Sequence, residues 1–249
     1  THVANTSDPN PSTNMRPFGL GFHDGLLYVG VIYSAESSQN AADMYGYVYV
    51  FNPSSNTFNT TPVISFPLNY PRGCAVNLCS TYGSDADWNP WTTDWTIKNS
   101  RFGREKVYPQ PWISDIDFSD DDYMILALRD RFGDQTGYNQ QSTSCSGLYH
   151  GDVAGDLLMA SPNGNNTWTL ESGGSVGTKT ASSSEGPNQG PGNAEFFWRD
   201  YFYDNYFGQV LHEETSVGSI IVVPGKNEVV STNYDVDRDF QGGIAYFST

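Results

Sequence analysis

The chain has 249 residues, enough for a sizeable core, with 12 Lys plus Arg against 28 Asp plus Glu and a formal net charge of −16. That balance repels nucleic acid and anionic lipid, and no apolar run approaches the ~18 residues of a membrane span, so neither nucleic-acid binding nor membrane insertion is expected. Charged residues make up only 16% and aromatics 14%, so the polar surface rests on Asn, Ser, Thr, Gly and Gln, as in many secreted β-proteins.

The start, "THVANTSDPN", is polar and lacks Met, which suggests a processed or trimmed N-terminus. "RPFGLGFHDGLLYVGVIY" (16–33) then reads as a strand, a His-Asp-Gly turn and a second strand. "GYVYVFNPSSNTF" (46–58) follows as Gly, strand residues, a Pro-containing polar turn, then Thr and an aromatic. An insertion (67–110) holds "DADWNPWTTDW" and two of the three cysteines. "WISDIDFSDDDYMILALRD" (112–130) repeats the first hairpin form around a Ser-Asp-Asp-Asp turn. After a second insertion (131–153), "GDLLMASPNGNNTW" (155–168) repeats the second form. A third insertion (171–214) contains "GGSVGTKTASSSEGPNQGPGN" (173–193), which reads as a flexible loop, and the aromatic run "AEFFWRDYFYDNYF". "VGSIIVVPGKNEVVSTNYD" (217–235) is a third hairpin with a Pro-Gly-Lys-Asn turn, and "GGIAYFST" (242–249) begins the second form again and stops.

Helical periodicity is absent from every dozen-residue window. The repeating unit is strand–turn–strand, insertion, strand–turn–strand, twice in full and once without its last strand. Four antiparallel strands repeated radially make a propeller blade. The expected fold is therefore all-β: a β-propeller or partial propeller of four-stranded antiparallel blades with long loop insertions. It forms a single domain over 1–249 with blade signals at 16–66, 112–172 and 217–249. The continuous apolar runs "YMILAL" and "SIIVV" suit strands covered on both faces. First strands at 18–22, 114–118 and 218–223 would line a central channel. Three blades do not close a ring, so either the insertions hide further blades or the chain is a piece of a longer one.

The acidic stretches offer metal chemistry. Asp120, Asp121 and Asp122 fall on a hairpin turn, with Asp115 and Asp117 on the strand before it. Asp235, Asp237 and Asp239 alternate in "DVDRD". Aspartates also suit turns for backbone reasons alone, but calcium, with six to eight oxygen ligands at irregular spacing, is the cofactor such clusters would accept. For ligand binding the candidates are Asp130, Arg131 and Asp134 in "RDRFGDQTG", Glu195, and His212 and Glu214 just before an inner strand. "CAVNLC" would let Cys74 and Cys79 close a small disulfide loop, though Cys145 could pair with either. Asn5, Asn59 and Asn165 head glycosylation sequons. There is no G-x-S-x-G, H-E-x-x-H or P-loop, and "GLGFHDG" is no dinucleotide fingerprint.

In order along the chain, "RPFGLGFHDGLLYVGV", "ISDIDFSDDDYMILALRDRFGDQTG", "HEETSVGSIIVVPGKNEVVSTNYD" and "GGIAYFST" resemble the propeller-like region of large bacterial surface proteins that also carry B-type domains of the Ser-Asp-repeat adhesins. The resemblance implies an extracellular or cell-surface location and no catalytic activity. The function expected is a non-catalytic structural or interaction scaffold of a surface layer, filament or adhesin. Its partners would be other copies of itself, surface proteins or glycans. Two alternatives stand beside it: a secreted polysaccharide hydrolase or lyase using Asp130, Glu195, His212 and Glu214, and a calcium-dependent carbohydrate-binding module.

Overall fold

The computed structural model describes residues 11–75, 86–94, 99–101, 105–141, 147–181, 189–204, 209–234 and 242–249. The chain is all-β, built from several antiparallel sheets. Strands β1 (Met15–His23) and β2 (Leu26–Tyr33) form the first hairpin, closed by Asp24 and Gly25, both at positive φ, the primed-turn geometry that matches strand twist. β3 (Tyr45–Asn52) pairs with β2, and both β4 (Thr57–Phe58) and β5 (Ile64–Pro67) pair with β3. The insertion that follows carries β6 (Asn99–Arg101) and β7 (Glu105–Val107).

The second sheet begins with β8 (Pro111–Phe118) and β9 (Met124–Asp130), joined by the acidic turn, where Asp122 has φ 64. The chain then forms a short helix, α1 (Arg131–Thr136), which the missing periodicity did not foretell. Its signals are local: Asp130 caps the N-terminus by accepting from the Phe132 amide, and Gly137, at φ 57, ends it. β10 (Gln140–Gln141) and β11 (Leu148–Gly151) join β7 and β6 in a small mixed sheet, so the first two insertions pair with each other. β12 (Asp156–Gly164) and β13 (Thr167–Leu170) complete the second sheet in the order β8-β9-β12-β13.

In the third insertion, β14 (Ser175–Val176) and β15 (Lys179–Thr180) form a tight hairpin, and β16 (Phe202–Asp204) pairs with β17 (Gln209–His212). The expected flexible loop at 173–193 is thus a hairpin in its first third, because glycines at positive φ turn the backbone tightly enough to pair. The last sheet has three strands: β18 (Ser216–Val222), β19 (Glu228–Tyr234) and β20 (Gly242–Ser248).

The three larger sheets pack face to face, with the second between the other two. Successive side chains on a strand point to opposite faces. In "YMILAL" and its neighbour, Met124, Leu126 and Leu128 face a core shared with Tyr28, Ile32 and Val48 of the first sheet. Tyr123, Ile125 and Ala127 face a second core with Val222, Val229 and Phe247 of the last. This is why the run is apolar throughout rather than alternating.

The first strands of the sheets lie side by side, β1 against β8 and β8 against β18. On β1 the approach is made by glycine. A Cβ on Gly19 or Gly21 would lie 2.7 Å or 2.5 Å from the Ile113 or Ile116 carbonyl oxygen, while Phe18, Leu20 and Phe22 between and beside them are exposed. Between β8 and β18 the approach is made by carboxylates. Asp115, Asp117 and Asp120 accept from the amides of Ile220 (3.0 Å), Val222 (2.7 Å) and Gly225 (2.7 Å). No helix among the described residues is long and apolar enough to cross a membrane.

Candidate functional site

Where the first, second and last sheets meet the third insertion, five carboxyl groups are buried together: Asp156, Glu171, Glu195, Asp200 and Glu214. Asp156 opens β12, Glu171 follows β13, Glu195 and Asp200 lie on the segment before β16, and Glu214 immediately precedes β18. One ligand-type oxygen each from Asp156, Glu195 and Glu214 falls within 4.8 Å of the others.

Arg72 is the cation that faces this group. Its side chain is fully buried and stacks on the Trp88 ring, 3.6 Å from guanidinium carbon to ring centroid. It donates to Glu214 Oε2 at 3.2 Å and to the backbone oxygens of Ala86, Ala154 and Gly155. Its Nε lies 3.8 Å from Asp156 Oδ2, which also accepts from the Tyr70 hydroxyl. Trp88 Nε1 donates to that same hydroxyl oxygen at 3.2 Å. Glu214 Oε1 accepts from the Gly73 amide, and the neighbouring Glu213 accepts from the Cys74 amide and from Gln189 at 3.0 Å.

Burial disfavours ionised carboxyls, and like charges add to the effect. Loss of solvent lifts Glu171 to about 8, although it accepts from the Met159 and Phe196 amides. It lifts Glu214 to about 7 against the pull of Arg72. Glu195 and Asp200 are held well above the ordinary range by burial and then by Glu214 and the other acids. Among the described residues, Glu195 Oε1 and Asp200 Oδ1 in this region meet no hydrogen-bond donor, and Arg72 Nε meets no acceptor.

The expected ligand-binding residues divide. Glu195 and Glu214 come together here. His212 supports the same corner, its Nδ1 2.6 Å from the Ala75 carbonyl oxygen and its ring against Tyr234. Asp130, Arg131 and Asp134 instead organise α1. Asp130 is fully buried, accepts from the Gln110 and Phe132 amides, and is raised to about 7 by burial. Arg131 lies over Trp91, and Asp134 takes two bonds from Arg129, one of them at 2.8 Å.

Among the described residues, the expected metal candidates do not converge on one point either. Asp115, Asp117 and Asp120 bind amides of the last sheet, as described above. Asp121 accepts from Ser119 at 2.6 Å and pairs with Lys179 at 3.0 Å. Asp122 meets His23 at 3.0 Å and, with Asp24, makes a second, exposed trio of metal-ligand type. Asp235, Asp237 and Asp239 lie outside the described residues, as do Asn5, Cys79 and Cys145. Cys74 is disulfide-bonded, and its partner falls in that undescribed part. Asn59 and Asn165 are exposed.

Sequence reasoning missed Arg72, Asp156, Glu171 and Asp200. Arg72 carried a usable signal: an arginine in "NYPRGC", among aromatics and beside a cysteine, in a chain with few cations. The acids carried none, because each sits in a different segment.

No protein-family model matches the chain. It is similar to proteins of Dictyostelium discoideum, among them Colossin-A (29% identical over 235 residues), Colossin-B (31% over 245) and Colossin-C (26% over 238). The matches cover 93–94% of this chain but only 2%, 6% and 20% of those proteins, so this chain corresponds to a small part of each. Among solved structures, an alpha-L-arabinanase mutant of Cellvibrio cellulosa aligns over all of this chain and 79% of its own, at 13% identity and a TM-score of 0.25. At that score the two folds are not alike enough to compare.

Proposed function

We propose that this chain is a propeller-type, non-catalytic interaction module of a much larger extracellular protein, and that it assembles with copies of itself. Three antiparallel meanders with adjacent first strands support the propeller reading. The small share of the colossins that the chain spans supports a module within a longer protein. The disulfide at Cys74 supports an oxidising compartment.

The observation that carries the interaction reading is the apolar surface along the inner strands. Phe18, Leu20 and Phe22 on β1 are 53%, 54% and 68% exposed, and Ile221 on β18 is 58% exposed. Large apolar side chains left in water along one edge mark a contact surface. Sedimentation velocity over a concentration series tests it. Association that weakens in a Leu20→Asp, Phe22→Asp double variant is expected; a species that stays monomeric throughout would overturn it.

The hydrolase reading has one supporting feature, the raised carboxyls Glu195 and Glu214. Their burial weighs against contact with a polymer, since Glu214 has no exposed surface and Glu195 is 6% exposed. Release of reducing ends from polysaccharides, abolished by Glu195→Gln, would restore that reading.

A further inference from the structure

We propose that Asp156, Glu195 and Glu214 hold a buried divalent cation of the calcium class, a site independent of the scaffold reading above. The first support is geometric: three buried carboxylates from three separate segments bring one oxygen each within 4.8 Å of the others. Oxygen donors alone, with no imidazole or thiolate, select a hard cation.

The second support is the unpartnered atom. Glu195 is 94% removed from solvent by its 6% exposure, and its Oε1 meets no donor among the described residues. Asp200, 3% exposed, has a similarly bare Oδ1. Buried carboxylate oxygens are normally satisfied, and an unmet one asks for a proton or a metal.

The third is charge. Glu195 feels Glu214, Asp200, Asp156 and Glu171, five acids in all with itself, and the facing cation is Arg72. The guanidinium directs three of its contacts to backbone oxygens and one to Glu214. With its Nε also 3.8 Å from Asp156, one guanidinium faces all five acids among the described residues, and a divalent ion at Glu195 would supply the counter-charge that lets more of them ionise.

The test uses calcium and terbium on the full chain after chelator dialysis. Terbium should luminesce when tryptophan is excited, because Trp88 stacks on Arg72 at the rim of the site. Calcium at a hundredfold excess over its dissociation constant should raise Tm by roughly 5–10 °C. Both responses should vanish in Glu195→Gln and persist in Asp122→Asn and Asp237→Asn. A calorimetric titration of the unaltered chain supplies a readout that no folding defect can confuse. It should show saturable calcium binding that Asp122→Asn and Asp237→Asn leave unchanged. No luminescence and no Tm response would overturn the proposal, leaving protons as the neutralising species. So would responses lost in Asp122→Asn or Asp237→Asn but kept in Glu195→Gln. None of these outcomes bears on self-association.

Discussion

Arg72 reaches Glu214 across 142 positions of sequence and bonds it at 3.2 Å, with both side chains wholly removed from water. The pair ties the segment after β5 to the start of the last sheet. Removing one member of a buried pair leaves the other charge uncompensated and destabilises by about 3–5 kcal/mol. Arg72→Leu should therefore lower the urea midpoint severely. Glu214→Gln leaves the buried guanidinium without that counter-charge and should also destabilise by about 3–5 kcal/mol. A loss of only about 1 kcal/mol in either variant would show that the pair's charge is not what matters.

The pH response follows from the raised acids. Asp130, Glu171 and Glu214 move from ordinary values of 3.8, 4.5 and 4.5 to about 7, 8 and 7. An acid with a raised folded pKa binds more protons in the native state than in the unfolded one, so its stabilisation is complete below about pH 4 and is lost as pH climbs through the folded value. In divalent-free buffer Tm should fall between about pH 5 and pH 8. Asp121 is lowered, chiefly by Ser119 and Lys179 against its own desolvation, and opposes this at lower pH, but it is largely exposed and its contribution is screened. A thermal-melt series across that range checks the sign.

Between the second and last sheets, the Asp115 and Asp117 carboxylates each hold one amide of β18. Hydrogen bonds to a charged acceptor at a half-buried seam contribute about 1–2 kcal/mol each. Asp117→Ala should lose about that much in urea unfolding, and Asp117→Asn less, because the amide oxygen still accepts. The Asp115, Asp117 double variant should show coupling beyond simple addition, since both bonds hold one strand pair.

Adjacent positions on β1 should respond oppositely. Gly21→Ala places a methyl 2.5 Å from the Ile116 carbonyl oxygen and should destabilise by about 1–3 kcal/mol. Phe22→Ser removes an exposed ring and should leave unfolding nearly unchanged. The same two variants should exchange roles in the sedimentation assay, where Phe22 matters.

The strand pattern was legible because it is written locally. Turn residues at Asp24-Gly25 and Pro224-Gly225 bound apolar runs, and the hairpins form there. The two-sided burial of "YMILAL" was legible for the same reason: a run that does not alternate has a core on both faces. The site was half legible. Glu195 and Glu214 stood out as acids in insertions, but only folding brings Asp156 beside them, and no spacing rule links residues from three segments. The acidic turn divides on folding: alternation along β8 directs Asp115 and Asp117 to alternate amides of the neighbouring strand, while Asp122 meets His23 and Asp24 in a trio of metal-ligand type. Helix α1 escaped notice because six residues carry no readable period, only a cap and a stop.

The ladder of carboxylates along β18 has one more effect. A sheet border with open amides invites another chain to add a strand, the first step toward aggregation. Here the outward amides of Ile220 and Val222 are already occupied by side chains that are negative when ionised. An incoming backbone would find those two donors already taken, and its carbonyl oxygens would be repelled by the carboxylates. A chain with this much β-structure and so few lysines thus keeps that margin quiet with aspartate, a gatekeeper supplied by the adjacent sheet rather than by the strand itself.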